Sequence, residues 1–255
     1  MNICLFTNEE INKPLDARDE RAIHLNRVLH KNEGDTFSAG IIGGQAGTAT
    51  ITKAVEVPNP KTGKNDVQYE FSFKGESDGK PLFPLIMIIG FPRPIQLKRL
   101  LRDVAALGAC EVHLTGTELG EKSYMQSTLV ERGAAYQMLL DGTVQAASTH
   151  VPELFLHSSL KECLESISEN DIKITLDNIR PEGSLEALMR GVEKLSENQK
   201  VVAAIGSERG WTDKERKLLR EKGFKICSMG SRVMRTETAA TVSASIILSK
   251  LGFLN

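Results

Sequence analysis

Residues 201–215 read VVAAIGSERGWTDKE, and residues 225–240 read KICSMGSRVMRTETAA. Each stretch begins with an apolar run that suits a buried strand, passes through a glycine-containing loop and enters a sequence typical of a helix. Thr212 and Glu215 have the spacing of a capping box at a helix start. In open α/β sheets, the loops that leave the carboxyl ends of the strands form the ligand-binding crevice. Each loop taken alone also fits a purely structural turn, but two in adjacent units favour a functional site.

The same alternation of strands and helices extends upstream to about residue 85. A rhythm of this kind is typical of a mostly parallel sheet that is covered by helices on both faces. The spacing of apolar residues predicts strands at 85–91, 111–115, 173–176, 201–205 and 224–229, and helices at 94–108 and 236–251, with further helices between the strands. The sequence therefore predicts an α/β domain over residues 85–255.

The first part of the chain has a different pattern. An apolar stripe predicts a helix over 16–30, and alternating polar and apolar residues separated by Gly, Pro and Asn predict strands between 35 and 75. Residues 76–84 are rich in Gly, Lys, Asp and Pro, which is typical of a linker. We therefore expect a small β-barrel domain at 1–75, a linker at 76–84 and the α/β domain after it.

The composition excludes several protein classes. Of 255 residues, 40% are hydrophobic and 25% are charged, and no apolar run is long enough to span a bilayer. Met1 to Glu10 lacks the basic and apolar regions of a secretory signal. These features indicate a globular cytoplasmic protein.

The cysteines and histidines are widely spaced in the sequence. Cys4, Cys110, Cys163 and Cys227 form no C-x-x-C pair, and the five histidines form no H-E-x-x-H motif. We therefore expect reduced thiols and no metal.

The net charge of −1 gives no overall basic excess, so a surface that binds nucleic acid would have to be local. Clusters of Lys and Arg lie near residues 18–31, 93–102 and 214–222, and each also fits a solvated helix face. The candidate nucleic-acid contacts are Arg27, Arg93, Lys98 and Arg99.

Other cofactor and catalytic fingerprints are missing. The sequence contains no P-loop, no G-x-G-x-x-G between a strand and a helix, and no G-x-S-x-G elbow. The glycine-rich run at 40–47 precedes an alternating strand pattern rather than a helix, so we interpret it as a hairpin turn.

Three motifs resemble those of the RsmE family, which are SPOUT-class methyltransferases of 16S ribosomal RNA. IGSERGW at 205–211 resembles IGPEGGF of that family, and MGSRVMRTETA at 229–239 resembles LGPRxLRTETA. HLNRVL at 24–29, followed by Gly-Asp at 34–35, is similar to HxxxVLR…GD at the edge of a PUA-like β domain. The resemblance covers essentially the whole chain, and the 229–239 motif is its most specific part.

The resemblance implies a trefoil knot, a homodimer and a site for S-adenosylmethionine in the knot loops. Carried over position by position, the cofactor contacts are Leu176, Gly206, Glu208, Gly210, Met229, Gly230, Val233, Met234, Thr238 and Ala239.

The implied reaction is methylation of N3 of a uridine, an atom that must lose its proton before it attacks. Arg232 and Arg235 have the fixed charge that stabilises the developing anion. Glu237 or Glu208 are the candidate proton acceptors, although Glu237 also fits a helix-capping role.

The chain departs from the family at several positions. The EQxGR motif is replaced by Val-Gln-Ala-Ala-Ser at 144–148, ELG by Ala-Leu-Gly at 106–108, and the second glycine of the first loop by Arg209. His30 stands in place of the arginine after Val-Leu. These changes leave open a different RNA target, or an RNA-binding or ribosome-assembly factor without turnover. A metabolic α/β enzyme is a further alternative.

Overall fold

The computed structural model describes residues 2–60, 63, 65–126, 133–192 and 194–254. The chain divides into two compact units, Met1–Pro81 with Thr143–Val151, and Leu82–Gly142 with Pro152–Asn255. The division between Pro81 and Leu82 falls inside the predicted linker. The sequence analysis did not predict that residues 143–151 belong with the first unit.

The first unit contains a four-stranded sheet in the order β1-β2-β3-β4, with β1 parallel to β2 and the other pairs antiparallel. Its elements are β1 (Cys4–Phe6), α1 (Glu20–Arg27), β2 (Thr36–Ile41), β3 (Ala46–Pro58) and β4 (Asn65–Ser77). Their apolar faces enclose one core, which includes the buried side chains of Phe6, Leu25, Ile51, Tyr69 and Phe71. The alternating sequence thus buries one face of each strand.

The helix predicted at 16–30 is shorter at both ends. The Asp19 side chain accepts the amide N–H of Arg21, so Asp19 is the N-cap and the helix begins after it. At the other end His30 has a positive φ of 49°, which a helix cannot accommodate. The apolar stripe therefore extends beyond the helical residues.

The second unit contains a seven-stranded sheet in the order β7-β6-β5-β10-β8-β11-β9, in which every pair is parallel. Its elements are β5 (Phe83–Gly90), α2 (Pro94–Ala106), β6 (Ala109–Thr115), α3 (Lys122–Met125), α4 (Ala134–Gln145), β7 (Glu153–His157), α5 (Leu160–Glu165), β8 (Ile172–Leu176), β9 (Gly183–Ser184), α6 (Leu185–Arg190), β10 (Val201–Ile205), α7 (Asp213–Glu221), β11 (Lys225–Ser228) and α8 (Thr236–Lys250). The predicted α/β fold with a parallel sheet is confirmed.

Helices α2 and α8 pack against the parallel sheet, and their first turns lie near the carboxyl ends of the strands. Helix α2 begins at Pro94 and buries Leu97, Leu100, Leu101 and Val104, which lie at helical spacing. Helix α8 buries small residues such as Ala240 and packs against α2, α6, β5 and β10. In the described part of the chain, no helix is long and apolar enough to cross a membrane.

Candidate functional site

A cavity of about 730 Å³ lies at the carboxyl ends of β8, β10 and β11. These strands are neighbours in the sheet and parallel, so the loops that follow them meet at one edge. The first turn of α2 and the first turn of α8 complete the lining. The cavity therefore lies where the two loops of the sequence analysis were expected to meet.

The loop after β10 is a tight turn that depends on two glycines. The N–H of Gly210 donates to the carbonyl of Ser207 at 2.8 Å, and Gly210 has a positive φ of 72°. A Cβ atom on Gly206 would stand 2.8 Å from the carbonyl carbon of Gly210, which is closer than side chains tolerate. The two ends of the loop can therefore approach each other only because residue 206 has no side chain.

Residues directly after this loop fix it to the core. The Trp211 side chain is 2% exposed and packs in the apolar cluster under the sheet. Thr212 and Glu215 form the capping box that the sequence predicted, since each side chain accepts from the other's backbone N–H. The loop is thus held between a buried aromatic anchor and a capped helix.

The loop after β11 leads into α8 and brings several polar and apolar groups to the cavity. Val233 is 86% exposed, and Arg232, Met234 and Arg235 also line the cavity. Arg235 is the N-cap residue of α8 but makes no capping bond with its side chain. Its side chain therefore lines the cavity without capping the helix.

The loop after β8 is held by a buried ion pair that the sequence analysis missed. Arg216 Nε lies 2.7 Å from Asp177 Oδ2, and both side chains are 8% exposed. The other oxygen of Asp177 accepts the N–H of Ile179 at 3.0 Å. Arg216 was placed in a basic surface cluster by its sequence context, but it lies on the inner side of α7 with Leu219. The helical spacing between Arg216 and Leu219 was the only signal of its burial.

The first turn of α2 contributes Arg93 and Gln96 to the lining. Arg93 Nε lies 3.3 Å from Glu208 Oε2. A hydrogen bond with Tyr124 and the charge of Glu208 raise the pKa of Arg93. Gln96 Oε1 is buried and has no hydrogen-bond partner among the described residues, so a ligand in the cavity can supply its donor.

The structure brings most of the predicted site residues together. The lining includes Leu176, Gly206, Glu208, Gly210, Met229, Arg232, Val233, Met234, Arg235, Glu237 and Ala239, together with Arg93 from the RNA-contact group. It does not include Gly230 and Thr238, which are exposed.

The remaining predicted RNA contacts are not among the residues that line the cavity. Lys98 and Arg99 are exposed on α2, and Arg27 in the first unit forms an ion pair of 2.7 Å with Asp66. The lining residues that sequence reasoning missed are Gln96, Asp177, Asn178, Ile179, Ile205, Ser207, Arg209, Arg216, Cys227 and Thr236. Ile205, Ser207, Arg209 and Thr236 lie within the quoted motifs, and the others come from β11, α2, α7 and the loop after β8, whose positions at the cavity depend on the fold.

The charge lining the cavity is not balanced. Asp177 is paired with Arg216 and Glu208 with Arg93. Among the described residues, Arg209, Arg232, Arg235 and Glu237 line the cavity without an ion-pair partner. Three unpaired arginines against one carboxylate give a positive rim, which attracts anionic ligands.

A family model described as an RNA methyltransferase domain matches residues 79–248. Ribosomal RNA small subunit methyltransferase E of Treponema pallidum is 38% identical, with 98% of this chain and 91% of the relative covered. Ribosomal RNA small subunit methyltransferase E 1 of Borreliella burgdorferi is 31% identical, with 98% and 99% covered.

A solved structure has the same fold. Ribosomal RNA small subunit methyltransferase E from Neisseria gonorrhoeae, bound to S-adenosyl methionine, superposes with a TM-score of 0.76 at 20% identity and covers 98% of this chain and 97% of its own. Three findings point to the same family. They are the fold match, the family model over most of the second unit, and the relatives that align along almost the whole chain. The chain therefore belongs to the RNA methyltransferase family that includes the ribosomal RNA small subunit methyltransferase E proteins.

Proposed function

We propose that this chain transfers the methyl group of S-adenosylmethionine to N3 of a uridine in 16S ribosomal RNA, acting on RNA in the small ribosomal subunit in the cytoplasm. The observation that carries the proposal is the cavity where the loops after β8, β10 and β11 meet with unpaired arginines at the rim. The relatives named above are small-subunit ribosomal RNA methyltransferases, which supports the RNA as substrate.

The residues in the cavity fit S-adenosylmethionine. A volume of about 730 Å³ lies in the usual range for cofactor sites. Apolar side chains of Leu176, Ile205, Met229 and Ala239 suit a flat adenine ring, and the close approach of Gly206 and Gly210 leaves main-chain groups to hold its polar edge. When bound, the cofactor supplies an electrophilic methyl group on a positively charged sulfur.

The residues of the chain have to favour the uracil anion. N3 of uracil becomes nucleophilic only after its proton leaves, and charge then spreads over both neighbouring carbonyl oxygens. The guanidinium groups of Arg232 and Arg235 line the cavity without a carboxylate partner and can donate to those oxygens. Their positive charge stabilises the anion more than the neutral base, which is the requirement for catalysis.

Glu237 is the better of the two candidate proton acceptors. The carboxylate of Glu208 is already engaged in an ion pair, since its Oε2 lies 3.3 Å from Arg93 Nε. Glu237 lines the same cavity and forms no ion pair among the described residues. We therefore propose that Glu237 accepts the proton of N3. The role that we propose for Glu208 is to position Arg93.

Three further features belong to the proposal. The threaded trefoil knot would form around the loops after β10 and β11, and the first unit would be a PUA-like barrel that binds the RNA backbone. Two chains would pair beside the cavity, where Ile95, Ile179 and Val233 are 75%, 49% and 86% exposed. Apolar side chains this exposed are typical of an interface.

The missing EQxGR residues do not remove the cofactor site. Residues 144–148 belong to the first unit, and none of them lines the cavity. Their loss therefore bears on RNA contacts and does not favour a factor without turnover.

The proposal is tested by methyl transfer to small ribosomal subunits that lack their native modification. We expect labelled methyl from S-adenosylmethionine to enter the 16S RNA and to be recovered as N3-methyluridine by nucleoside mass analysis. A different methylated nucleoside would overturn the choice of base. No incorporation into subunits or free RNA, with measurable cofactor binding, would overturn the enzymatic proposal.

The Gly206→Ala substitution is expected to weaken cofactor binding at least tenfold, which corresponds to about 1.4 kcal/mol. The added methyl group would stand 2.8 Å from the Gly210 backbone and must push the loop open. Gly183→Ala is the matched control, because a Cβ there meets nothing within 4 Å. Calorimetric titration of both variants measures the effect, and equal affinities would show that the loop does not hold the cofactor.

A further inference from the structure

A buried cluster of three metal-ligating side chains lies apart from the cavity. His113 on β6, His157 at the end of β7 and Cys163 on α5 place one ligand atom each within 4.8 Å of one another. His113 Nδ1 and His157 Nε2 are 3.0 Å apart. His113 is 2% exposed, His157 9% and Cys163 0%, and none of them lines the methyltransferase cavity.

One of the two histidines is oriented by a carboxylate. Glu111 Oε2 lies 3.0 Å from His113 Nε2, and the other oxygen of Glu111 accepts from the Lys200 ammonium. An ionised carboxylate only accepts, so His113 Nε2 carries the proton and the lone pair of Nδ1 faces His157. A carboxylate behind a histidine in this way is the usual outer contact of a metal-binding imidazole.

The three residues are also held by regular structure. β6 and β7 are paired in parallel with His113 opposite Phe155 and Thr115 opposite His157, and the rings of His113 and Phe155 stack at 4.6 Å. Cys163 lies on α5, whose N-cap Ser159 accepts from the N–H of Glu162. Rigid elements that fix ligand positions before binding reduce the entropic cost of forming a metal site.

We infer that His113 Nδ1, His157 Nε2 and Cys163 Sγ bind a zinc ion. Two imidazoles and one thiolate suit borderline-soft divalent ions such as Zn²⁺ and exclude Mg²⁺ and Ca²⁺, which require oxygen ligands. Zinc takes nitrogen at about 2.0–2.1 Å and sulfur at about 2.3 Å. The hydrogen bond between His113 Nδ1 and His157 Nε2 must therefore break, and the three ligand atoms, which lie within 4.8 Å of one another, must move closer around the ion. Among the described residues the cluster has no fourth protein ligand, and water fills that position.

The binding step releases one proton. A zinc-bound cysteine is a thiolate, so the Cys163 thiol must give up its proton when the ion binds. The contact with Glu111 places the proton of His113 on Nε2, and the hydrogen bond to the lone pair of His113 Nδ1 places a proton on His157 Nε2. The ion displaces the thiol proton to solvent, while the His157 proton moves from Nε2 to Nδ1 and stays on the ring. Release of about one proton per ion is therefore expected.

The ion would link the edge strand β7 and helix α5 to β6. β7 is the last strand on its side of the sheet and has β6 as its only strand neighbour in the described sheet order. A crosslink through His113, His157 and Cys163 stabilises this edge because the ion binds the folded state alone. His113 and His157 are 44 residues apart in the sequence, and only folding brings them together, so no local spacing indicates this cluster.

The test is titration of the metal-free full-length chain with Co²⁺, which reports thiolate coordination by a charge-transfer band in the near ultraviolet. We expect one Co²⁺ per chain, displacement by Zn²⁺, no competition from Mg²⁺ and release of about one proton by calorimetry in buffers of different ionisation enthalpy. Cys163→Ser should abolish the thiolate band and the proton release. Cys4→Ser is the matched control, because Cys4 is also buried but lies in the first unit.

His157→Gln provides a second variant at the sheet edge and should weaken binding at least tenfold. A thiolate band that persists in Cys163→Ser, or wild-type chain that binds no Co²⁺, would overturn the inference. If Cys163→Ser does not fold, the test is the proton release on metal binding by the wild-type chain and by Cys4→Ser. The absence of that release in both would overturn the inference. Methyl transfer by the wild-type chain is measured separately, so failure of the zinc site leaves the proposed function untouched.

Discussion

Replacement of Arg216 by methionine is expected to destabilise the second unit by about 3–5 kcal/mol. The substitution leaves the Asp177 carboxylate, which is 8% exposed, without its ion-pair partner at 2.7 Å. A buried charge that loses its partner retains its desolvation cost but loses the Coulombic attraction that offset this cost. Urea unfolding followed by circular dichroism measures the change in the free energy of unfolding.

Lys217→Met is the matched control for Arg216→Met. Lys217 follows Arg216 on α7, but it is 80% exposed and its partner Glu221 is 3.8 Å away. Exposed pairs of this kind contribute about 0–1 kcal/mol, so the control should unfold almost as wild type does. Equal stability of the two variants would mean that the Asp177 carboxylate finds another partner or is protonated.

A double variant separates the ion pair from the general packing of Arg216. Asp177→Asn combined with Arg216→Met removes both charges, and the combined loss should be smaller than the sum of the two single losses. The carboxylate of Asp177 also holds the N–H of Ile179 in the loop after β8, which lines the cavity. Arg216→Met should therefore also weaken cofactor binding, beyond its effect on stability.

The sequence predicted the α/β core well because its signals are local. Residues 201–215, for example, contain a buried strand, a glycine-containing loop and a capped helix start within a few residues of one another. Edge strand β7 was missed because its apolar run, Leu154 to Leu156, is only three residues long and lies on a largely exposed strand. Residues 143–151 join the first unit through contacts distant in sequence, such as Thr149 Oγ1 with the carbonyl of Gly44. Contacts of this kind leave no periodic pattern.

The site also combines residues that local sequence signals predict with residues that only distant contacts bring together. Residues within the two motif loops were predicted as ligand contacts, and most of them line one cavity. Arg216 was assigned to a basic surface because charge in a helix is usually solvated, and its burial depends on Asp177, 39 residues away. His113, His157 and Cys163 were judged by their wide spacing in the sequence. Pairings between distant polar groups therefore limit what can be predicted from one sequence.

The Arg235→Ala substitution is expected to lower the rate of methyl transfer by about 10²–10³-fold while cofactor affinity changes little. Arg235 lines the cavity, has no ion-pair partner among the described residues and stands directly before α8, where its carbonyl accepts the N–H of Ala239 at 2.8 Å. This bond involves the main chain alone, so truncation of the side chain leaves the helix start intact. The loss should therefore fall on the reaction and not on folding.

Single-turnover rates and calorimetric affinities separate the two effects of Arg235→Ala. Arg190→Ala is the control, because Arg190 is also an exposed arginine but pairs with Glu186 on α6 and does not line the cavity. Arg235→Lys keeps the charge without the planar pair of donors and should recover part of the rate. A fall in cofactor affinity at an unchanged single-turnover rate would place Arg235 in the cofactor site instead. An unchanged rate and affinity would mean that Arg232 alone stabilises the uracil anion.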